Sequence, residues 1–318
     1  MYGCKLSSSF LSLVLPVTAA LIVPGVVISL HDHPVGPRCA NSRFDCPLPS
    51  QRKRYAYRPS FHSNRQISSM VLASNSRIAD EYGAVTGVTL KMAFDSSDVW
   101  GVADLSETKS ERFTSPESLD MVHRLRRESC AVLVGRGTVE RDNCTLTVRR
   151  VELGDGKSQP VRVVIDPSLS LIGGDYAILR DNLPSIIYHL QNGTTKATPS
   201  ESLTFVEIIQ PDNNDGKKSL ISPSNIVKDL ASRGLQHIMV EGGPATALGF
   251  LNARVVDRAI LVRAPILFDI PVPAEIDEST LARAGLELIG TTKLGGDTIE
   301  YWTRNGSPWP NLNFHLWP

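Results

Sequence analysis

Gln236-His237-Ile238-Met239-Val240-Glu241-Gly242-Gly243-Pro244-Ala245-Thr246-Ala247-Leu248-Gly249-Phe250-Leu251 is the stretch whose reading decides the fold. It opens with a short apolar run, reads acid-Gly-Gly in its middle, and continues with the small and apolar residues of a buried helix. A strand that ends in glycines and runs into a helix builds an anion site in α/β domains. Glycine lets the backbone come close to a ligand, and the free N–H groups of the helix start point at its phosphate. Glu241 falls at the carboxyl end of the strand, where open α/β sheets bind ligands. Gly-Gly alone also describes a tight turn beside a solvated Glu, so the rest of the chain has to decide.

Upstream, residues 222–233 read as a helix with Pro223 near its start and Gly234 as its stop, delivering the chain into this strand. Ala131-Val132-Leu133-Val134-Gly135 is a continuous apolar run, the pattern of a strand buried on both faces. It ends in Gly135-Arg136-Gly137-Thr138-Val139, a second glycine-bearing turn. Between the two, Val161-Arg162-Val163-Val164-Ile165-Asp166 is a strand closed by Pro167, and residues 185–189 and 203–209 are weaker strand candidates. Val88-Thr89-Leu90-Lys91-Met92-Ala93 reads as the first core strand, and the polar stretch 94–111 after it as a loop. Thr114-Ser115-Pro116-Glu117 announces a helix, with Ser115 as N-cap, Pro116 at its first position and an acid in the first turn. Leu119, Met121, Val122 and Leu125 supply its apolar face, and Arg124, Arg126 and Arg127 crowd its last turn.

Downstream, Ala259-Ile260-Leu261-Val262 is a further strand, followed by a proline-rich link through Ile270-Pro271-Val272-Pro273. Residues 286–292 and 298–303 pair as a hairpin across Lys293-Leu294-Gly295-Gly296-Asp297. Strands alternating with helices predict one α/β domain with a mainly parallel sheet, made mixed by the terminal hairpin.

Composition narrows the function. Lys+Arg and Asp+Glu are 33 each, so no basic excess argues for nucleic acid and no acidic tail is present. Five cysteines are too scattered for a disulfide framework, and no CxxC pair or His-x-Glu with a cysteine pair marks a zinc site. Cys4, Cys39 and Cys46 fall in an N-terminal region of different character, leaving Cys130 and Cys144 to the body.

That region is read as a targeting leader over residues 1–81. Residues 10–30 are apolar and small after Lys5, interrupted by Pro16 and Pro24, which suits a cleavable signal better than a membrane anchor. Arg38, Arg43, Arg52, Lys53, Arg54, Arg58 and Arg65 then follow among Ser and Pro with few acids, like a transit peptide. His31-Asp32-His33 lies in this removable part and is read as incidental rather than as a metal site. A signal followed by a transit-like stretch resembles the bipartite leaders of plastid proteins in algae with complex plastids. Plastid delivery is therefore expected, with the secretory pathway as the alternative and no membrane attachment of the mature form. Asn143, Asn192 and Asn305 open Asn-x-Ser/Thr sequons, and delivery to a plastid predicts an unmodified Asn143.

The body, residues 82–306 before a tail at 307–318, resembles the reductase domain of the riboflavin pathway. This is the carboxyl-terminal half of bacterial bifunctional deaminase-reductases. The resemblance covers residues 88–304 and rests on four motifs in family order. They are Val-Thr-Leu-Lys-Met-Ala from Val88; Thr-Ser-Pro-Glu from Thr114; Val-Gly-Arg-Gly-Thr-Val-Glu-Arg-Asp-Asn from Val134, with Leu-Thr-Val-Arg from Leu146; and Val-Glu-Gly-Gly from Val240, with Val-Val-Asp-Arg-Ala-Ile-Leu-Val-Arg-Ala-Pro from Val255. It implies a dihydrofolate-reductase-like three-layer fold and a stand-alone reductase, since the zinc deaminase half is absent. It further implies NADPH bound by Ala93, Thr138, Asp142, Gly243, Pro244, Ala245, Thr246 and Gly249. A phosphoribosylamino-pyrimidine would be bound by Ser110, Arg126, Leu146, Arg149 and Glu241. Arginines suit the phosphate through charge-assisted contacts, and a carboxylate and a hydroxyl suit ribose or pyrimidine donors. The implied reaction moves a hydride from NADPH to C1′ of the opened ribose, leaving a ribityl chain. The resemblance leaves the oligomeric state open, a homodimer included.

Each residue also has a plainer reading. Arg126 and Arg149 can be solvated cations, Arg126 complementing its helix end, while Thr138 can be a cap and Asp142 a turn residue. Glu241 is hardest to dismiss, because a carboxylate ending an apolar strand must find a partner or cost stability. The chain departs from the family in three places. Phe94-Asp95-Ser96-Ser97-Asp98-Val99-Trp100-Gly101 replaces a shorter Ser-Leu-Asp-Gly, Arg112 stands where the family has tryptophan, and Asp142-Asn143-Cys144 replaces acid-acid-Pro. A second function class therefore stays open: a degenerate relative that binds nucleotide without catalysis and acts as scaffold or regulator. A true dihydrofolate reductase fits the fold but not the set Arg126, Arg149 and Glu241.

Overall fold

In strand β1 (Gly87–Phe94), Val88, Leu90, Met92 and Phe94 face one apolar core while Ala93 packs toward a second. This period-two alternation, buried on both sides, makes β1 a central strand. The computed structural model describes residues 85–106, 112–190, 200–208, 221–311 and 313–318. The leader, Ser110 and Asn192 lie outside these described residues.

After β1 come β2 (Gly101–Asp104), α1 (Pro116–Glu128), β3 (Ala131–Gly135), α2 (Arg136–Asp142) and β4 (Val161–Ile165). The chain continues through α3 (Ala177–Arg180), β5 (Ser185–Leu190), β6 (Leu203–Ile208), α4 (Pro223–Ser232), β7 (His237–Val240) and α5 (Pro244–Asn252). It closes with β8 (Arg258–Arg263), β9 (Pro271–Pro273), α6 (Glu278–Arg283), β10 (Leu286–Leu294) and β11 (Asp297–Arg304).

The described residues form a nine-stranded sheet in the order β10-β11-β8-β1-β7-β3-β4-β5-β6. From β8 to β6 every neighbouring pair is parallel, while β11 runs antiparallel to both of its neighbours, β8 and β10. This is the expected α/β class, mainly parallel with a carboxyl-terminal antiparallel hairpin. Ala131 and Leu133 join the core covered by Ile226, Leu230, Phe250 and Leu281 from α4, α5 and α6. Val132 and Val134 join the core covered by Met121, Val122, Leu125, Val139 and Ile178 from α1, α2 and α3. Helices thus lie on both faces, giving three layers. Each such buried Val or Leu contributes about 1.5–3 kcal/mol, so a charge at Leu133 would break the sheet at its centre.

Because β7 returns between β1 and β3, the chain reverses its direction of sheet growth there. The carboxyl ends of β1, β3 and β7 meet at that switch point, which is where open α/β sheets take ligands.

The structure corrects three readings of local sequence. The glycine turn after β3 becomes the helix α2, because Val139 is fully buried and its packing outweighs the poor propensity of Gly137. The loop at 94–111 contains β2, which pairs with β9 in the segment read as a link. The hairpin strands reach Leu294 and Asp297, leaving only Gly295-Gly296 as the turn, with Gly295 at φ +59. Beyond the hairpin, Trp309 and Phe314 pack against Tyr301, Trp317 packs against Trp309, and all three join the second core.

Candidate active site

Helix α1 is held at both ends, which determines where its side chains point. At its start the Ser115 hydroxyl accepts the Ser118 N–H at 3.2 Å, as expected of an N-cap. The Ser115 N–H donates to Asp297 Oδ2 at 2.8 Å and its hydroxyl donates to the Leu294 carbonyl at 3.1 Å, tying the helix to the hairpin. At its end the Glu128 carbonyl accepts from His237 Nδ1 at 2.8 Å. A carbonyl only accepts, so Nδ1 carries the proton and Nε2 takes the Thr89 hydroxyl at 3.0 Å. Burial holds this imidazole neutral, with its pKa lowered to about 4.

So placed, Arg126 reaches the end of β7. Its Nε and Nη2 donate to Glu241 Oε1 and Oε2 at 2.5 and 2.7 Å, and Nη1 donates to the Thr147 carbonyl at 3.0 Å. Burial by itself would raise the Glu241 carboxyl, but Arg126 more than offsets it and holds the group below the usual carboxylate range. Glu241 also continues the ladder, its N–H donating to the Leu133 carbonyl at 2.8 Å. Lys91 on β1 faces the same carboxylate. Burial makes its ammonium more acidic than usual, opposed by the attraction of Glu241. The apolar run around Lys91 hides its part in the site from sequence reading.

The residues expected to bind the cofactor divide by what their side chains do. Gly243 caps α5 with φ −67, and no side chain caps that helix start. A Cβ on Gly243 would meet only Thr138 Oγ1, at 3.8 Å, so the space before the helix is open. A Cβ on Gly135 or Gly242 would come within 2.4 or 2.7 Å of Thr246, so glycine at both positions leaves the room that the Thr246 side chain occupies between α5 and the end of β3. The nearest neighbour of a Cβ on Gly249 is Pro223 at 4.0 Å, which places Gly249 at the contact with α4 rather than at the helix start. Pro244 lacks an N–H to lose, and Ala245 follows it in the uncapped first turn. Ala93 sits on β1 in register with Val262, and Asp142 ends α2. The uncapped start of α5 and the Thr138 hydroxyl therefore lie side by side.

Of the residues expected to bind substrate, Arg126 and Glu241 are brought together directly. Arg149 is exposed, and among the described residues its guanidinium bonds only Thr145, Nη1 to Oγ1 at 3.0 Å. Arg112 is exposed near it, and burial together with Arg126 and Arg112 lowers the pKa of Arg149. Leu146 is 2% exposed and at φ 54, and its side chain belongs to the second core. Cys144 is inert: burial, followed by Glu241 and Asp142, pushes its thiol up to about 12.

The segment that departs from the family is organised by one carboxylate. Asp95 Oδ1 accepts the N–H groups of Ser97 and Gly101 at 3.1 and 2.8 Å and the Ser97 hydroxyl at 2.5 Å. Its Oδ2 accepts the Phe268 N–H at 3.0 Å, joining this loop to the segment before β9. Arg263 lies 3.8 Å over the Trp100 ring and pairs with Glu300 behind it. Asp95 is thus a structural acceptor, which a polar run in sequence does not reveal.

Fold and site together define an α/β domain whose buried Arg126–Glu241 pair lies at the switch point of a mainly parallel sheet. Residues 88–298 match the RibD C-terminal domain, and the chain belongs to that family of riboflavin-pathway reductases. It is 35% identical over 156 residues to the riboflavin biosynthesis protein RibD of Aquifex aeolicus, covering 49% of this chain and 40% of that protein. It is 31% identical over 209 residues to the 2,5-diamino-6-ribosylamino-4(3H)-pyrimidinone 5′-phosphate reductase of Methanothermobacter thermautotrophicus, covering 63% of this chain and 91% of that protein. Among solved structures, the deaminase/5-amino-6-(5-phosphoribosylamino)uracil reductase of Thermotoga maritima shares the fold, with a TM-score of 0.53 and 21% identity. That match covers 69% of this chain and 56% of the Thermotoga chain.

Proposed function

We propose that this chain is an NADPH-dependent pyrimidine reductase of riboflavin biosynthesis. It would reduce the ribosyl group of 5-amino-6-(5-phosphoribosylamino)uracil, or of its undeaminated diamino analogue, to the ribityl chain. The observation that carries this reading is the buried Arg126–Glu241 pair lying next to the open start of α5. NADPH, when bound, supplies the hydride. Gly243, Ala245 and Thr138 would hold its phosphates.

The remaining work falls to the chain's own groups. Nε, Nη1 and Nη2 of Arg126 already donate to Glu241 and Thr147, so this arginine orients the carboxylate. Glu241, kept ionised, has lone pairs left to accept from a substrate hydroxyl or ring N–H. Arg149 has spare donors and suits the phosphate. Lys91, with its acidified ammonium, and Glu241 are the groups able to hold or move a proton near the ribose.

The test is a paired assay. Mature protein with NADPH should oxidise the cofactor with the uracil or the diamino compound, and NADH should serve less well. No turnover on either substrate would sink the catalytic reading. Calorimetric NADPH binding without turnover would instead favour the scaffold reading, whose motive is the rebuilt loop around Asp95. For location we propose a plastid, with a mature N-terminus between about Asn41 and Ser76. N-terminal sequencing of the native protein tests it, and a secreted form with a glycan on Asn143 would refute it.

A further inference from the structure

Residues 145–149 carry Arg149 along the rim of the site, yet they belong to no strand. A segment outside any ladder must satisfy its backbone groups elsewhere, and here side chains do it. The Thr147 carbonyl takes Arg126 Nη1 at 3.0 Å. The Val148 N–H and carbonyl meet Gln159 Oε1 and Nε2 at 2.7 and 3.0 Å. The Arg149 N–H donates to His123 Nδ1 at 3.1 Å. His123 and Arg126 are three residues apart on one face of α1, so the helix that orients Glu241 also holds this strap.

We propose that His123 is a positioning residue for the reaction: its neutral imidazole fixes the backbone at Arg149, so that the guanidinium is presented to the substrate phosphate. The proposal rests on the reading of Arg149 as a substrate residue. An Nδ1 that accepts an N–H must be bare, which puts the ring proton on Nε2. The surroundings enforce that state. His123 is 3% exposed, and it is faced by Arg126 from α1, by Arg149 and Arg150 from the strap, and by Glu241 from the end of β7. Burial and then these arginines lower its pKa to about 4. A protonated ring would turn an N–H against the Arg149 N–H and release the strap. Leu146, buried at 2% exposure, anchors the other end, so slack introduced at His123 is passed to Arg149.

Three variants separate positioning from simple packing. His123→Asn keeps an acceptor where Nδ1 stands, His123→Gln carries its acceptor one bond further out, and His123→Leu removes it. We expect His123→Leu and His123→Gln to raise the substrate KM and its calorimetric Kd about tenfold, with kcat and the NADPH Kd within about twofold. His123→Asn should recover most of that loss. Arg149→Ala should weaken substrate at least as much, and adding His123→Leu to it should do no further harm. Equal substrate constants for the Asn and Gln variants would overturn the proposal even if His123→Leu fails to fold. So would fully additive effects of His123→Leu and Arg149→Ala. If Arg149→Ala itself leaves substrate binding unchanged, the reading of Arg149 fails, and the role of His123 with it. An Arg149→Ala loss without any loss in His123→Gln and His123→Leu defeats the His123 proposal alone.

Discussion

Arg126 and Glu241 meet through two parallel hydrogen bonds, Nε to Oε1 at 2.5 Å and Nη2 to Oε2 at 2.7 Å, across 115 positions of sequence. The pair joins the last turn of α1 to the end of β7, so packing of that helix on the sheet and orientation of the site carboxylate are a single arrangement. A bidentate pair has one geometry, and lysine could not reproduce it.

Arg126→Ala leaves Glu241 buried without its partner and should cost about 3–5 kcal/mol in denaturant unfolding. Glu241→Gln keeps one of the two acceptors but leaves the buried Arg126 without its counter-charge, and should likewise cost about 3–5 kcal/mol. It should lower kcat/KM for the pyrimidine about tenfold or more, with NADPH affinity nearly unchanged. Weakened NADPH binding beside an unchanged substrate constant would reverse the assignment of Glu241.

The glycines of the turn should separate by folding and by binding. Gly243→Val has only Thr138 Oγ1 near its Cβ, at 3.8 Å, and no unusual φ, so the protein should fold with nearly unchanged stability. NADPH affinity should nonetheless fall about tenfold or more, because the branched side chain fills the phosphate gap. Gly242→Ala meets Thr246 at 2.7 Å and should lose about 1–3 kcal/mol of stability instead. Normal NADPH binding by Gly243→Val would move the anion site elsewhere.

Acid should loosen the fold through His237. Its folded pKa, lowered to about 4, lies below its ordinary value of 6.5. As pH falls through 6.5 the unfolded chain takes a proton that the folded chain refuses, so stability drops and levels off below about 4. The loss amounts to about 3 kcal/mol in all, with about 2 kcal/mol gone by pH ~5. His237→Asn can still donate to the Glu128 carbonyl but does not titrate. Its urea midpoint should therefore vary less between pH 7 and 5 than that of the wild type, and parallel curves would refute the assignment.

Trp317 should tolerate one change and not another. Its ring packs 5.8 Å from His237 and 5.4 Å from Trp309, and its indole N–H is buried without a hydrogen-bond partner. Trp317→Ala should cost about 3–5 kcal/mol through the cavity it leaves. Trp317→Phe loses area but also deletes the unpaired donor, and should stay within about 1.5 kcal/mol of wild type. A large loss in the Phe variant, measured by thermal unfolding, would mean that the indole N–H has an acceptor.

The sequence by itself determined what is settled within a turn or two of chain. Ser115 and Pro116 mark the start of α1, the apolar run at Ala131 marks a buried strand, and Glu241-Gly242-Gly243 marks a strand passing into a helix; the structure has each in place. Caps, hydrophobic period and glycine spacing are local, so they can be read locally. Tertiary structure alone decided which charges are spent on one another. In sequence Arg126 reads either as a substrate arginine or as a cation complementing its helix end, and in the structure it is paired with Glu241, while Arg149 bonds only Thr145 among the described residues. Lys91 and His123 were hidden in apolar patterns, since a side chain's acidity depends on neighbours brought from other strands and helices. Asp95 looked like one acid in a polar loop, and its partner Phe268 lies 173 residues away. Pairing at that distance depends on the packing of the whole sheet, and no local pattern in the chain encodes it.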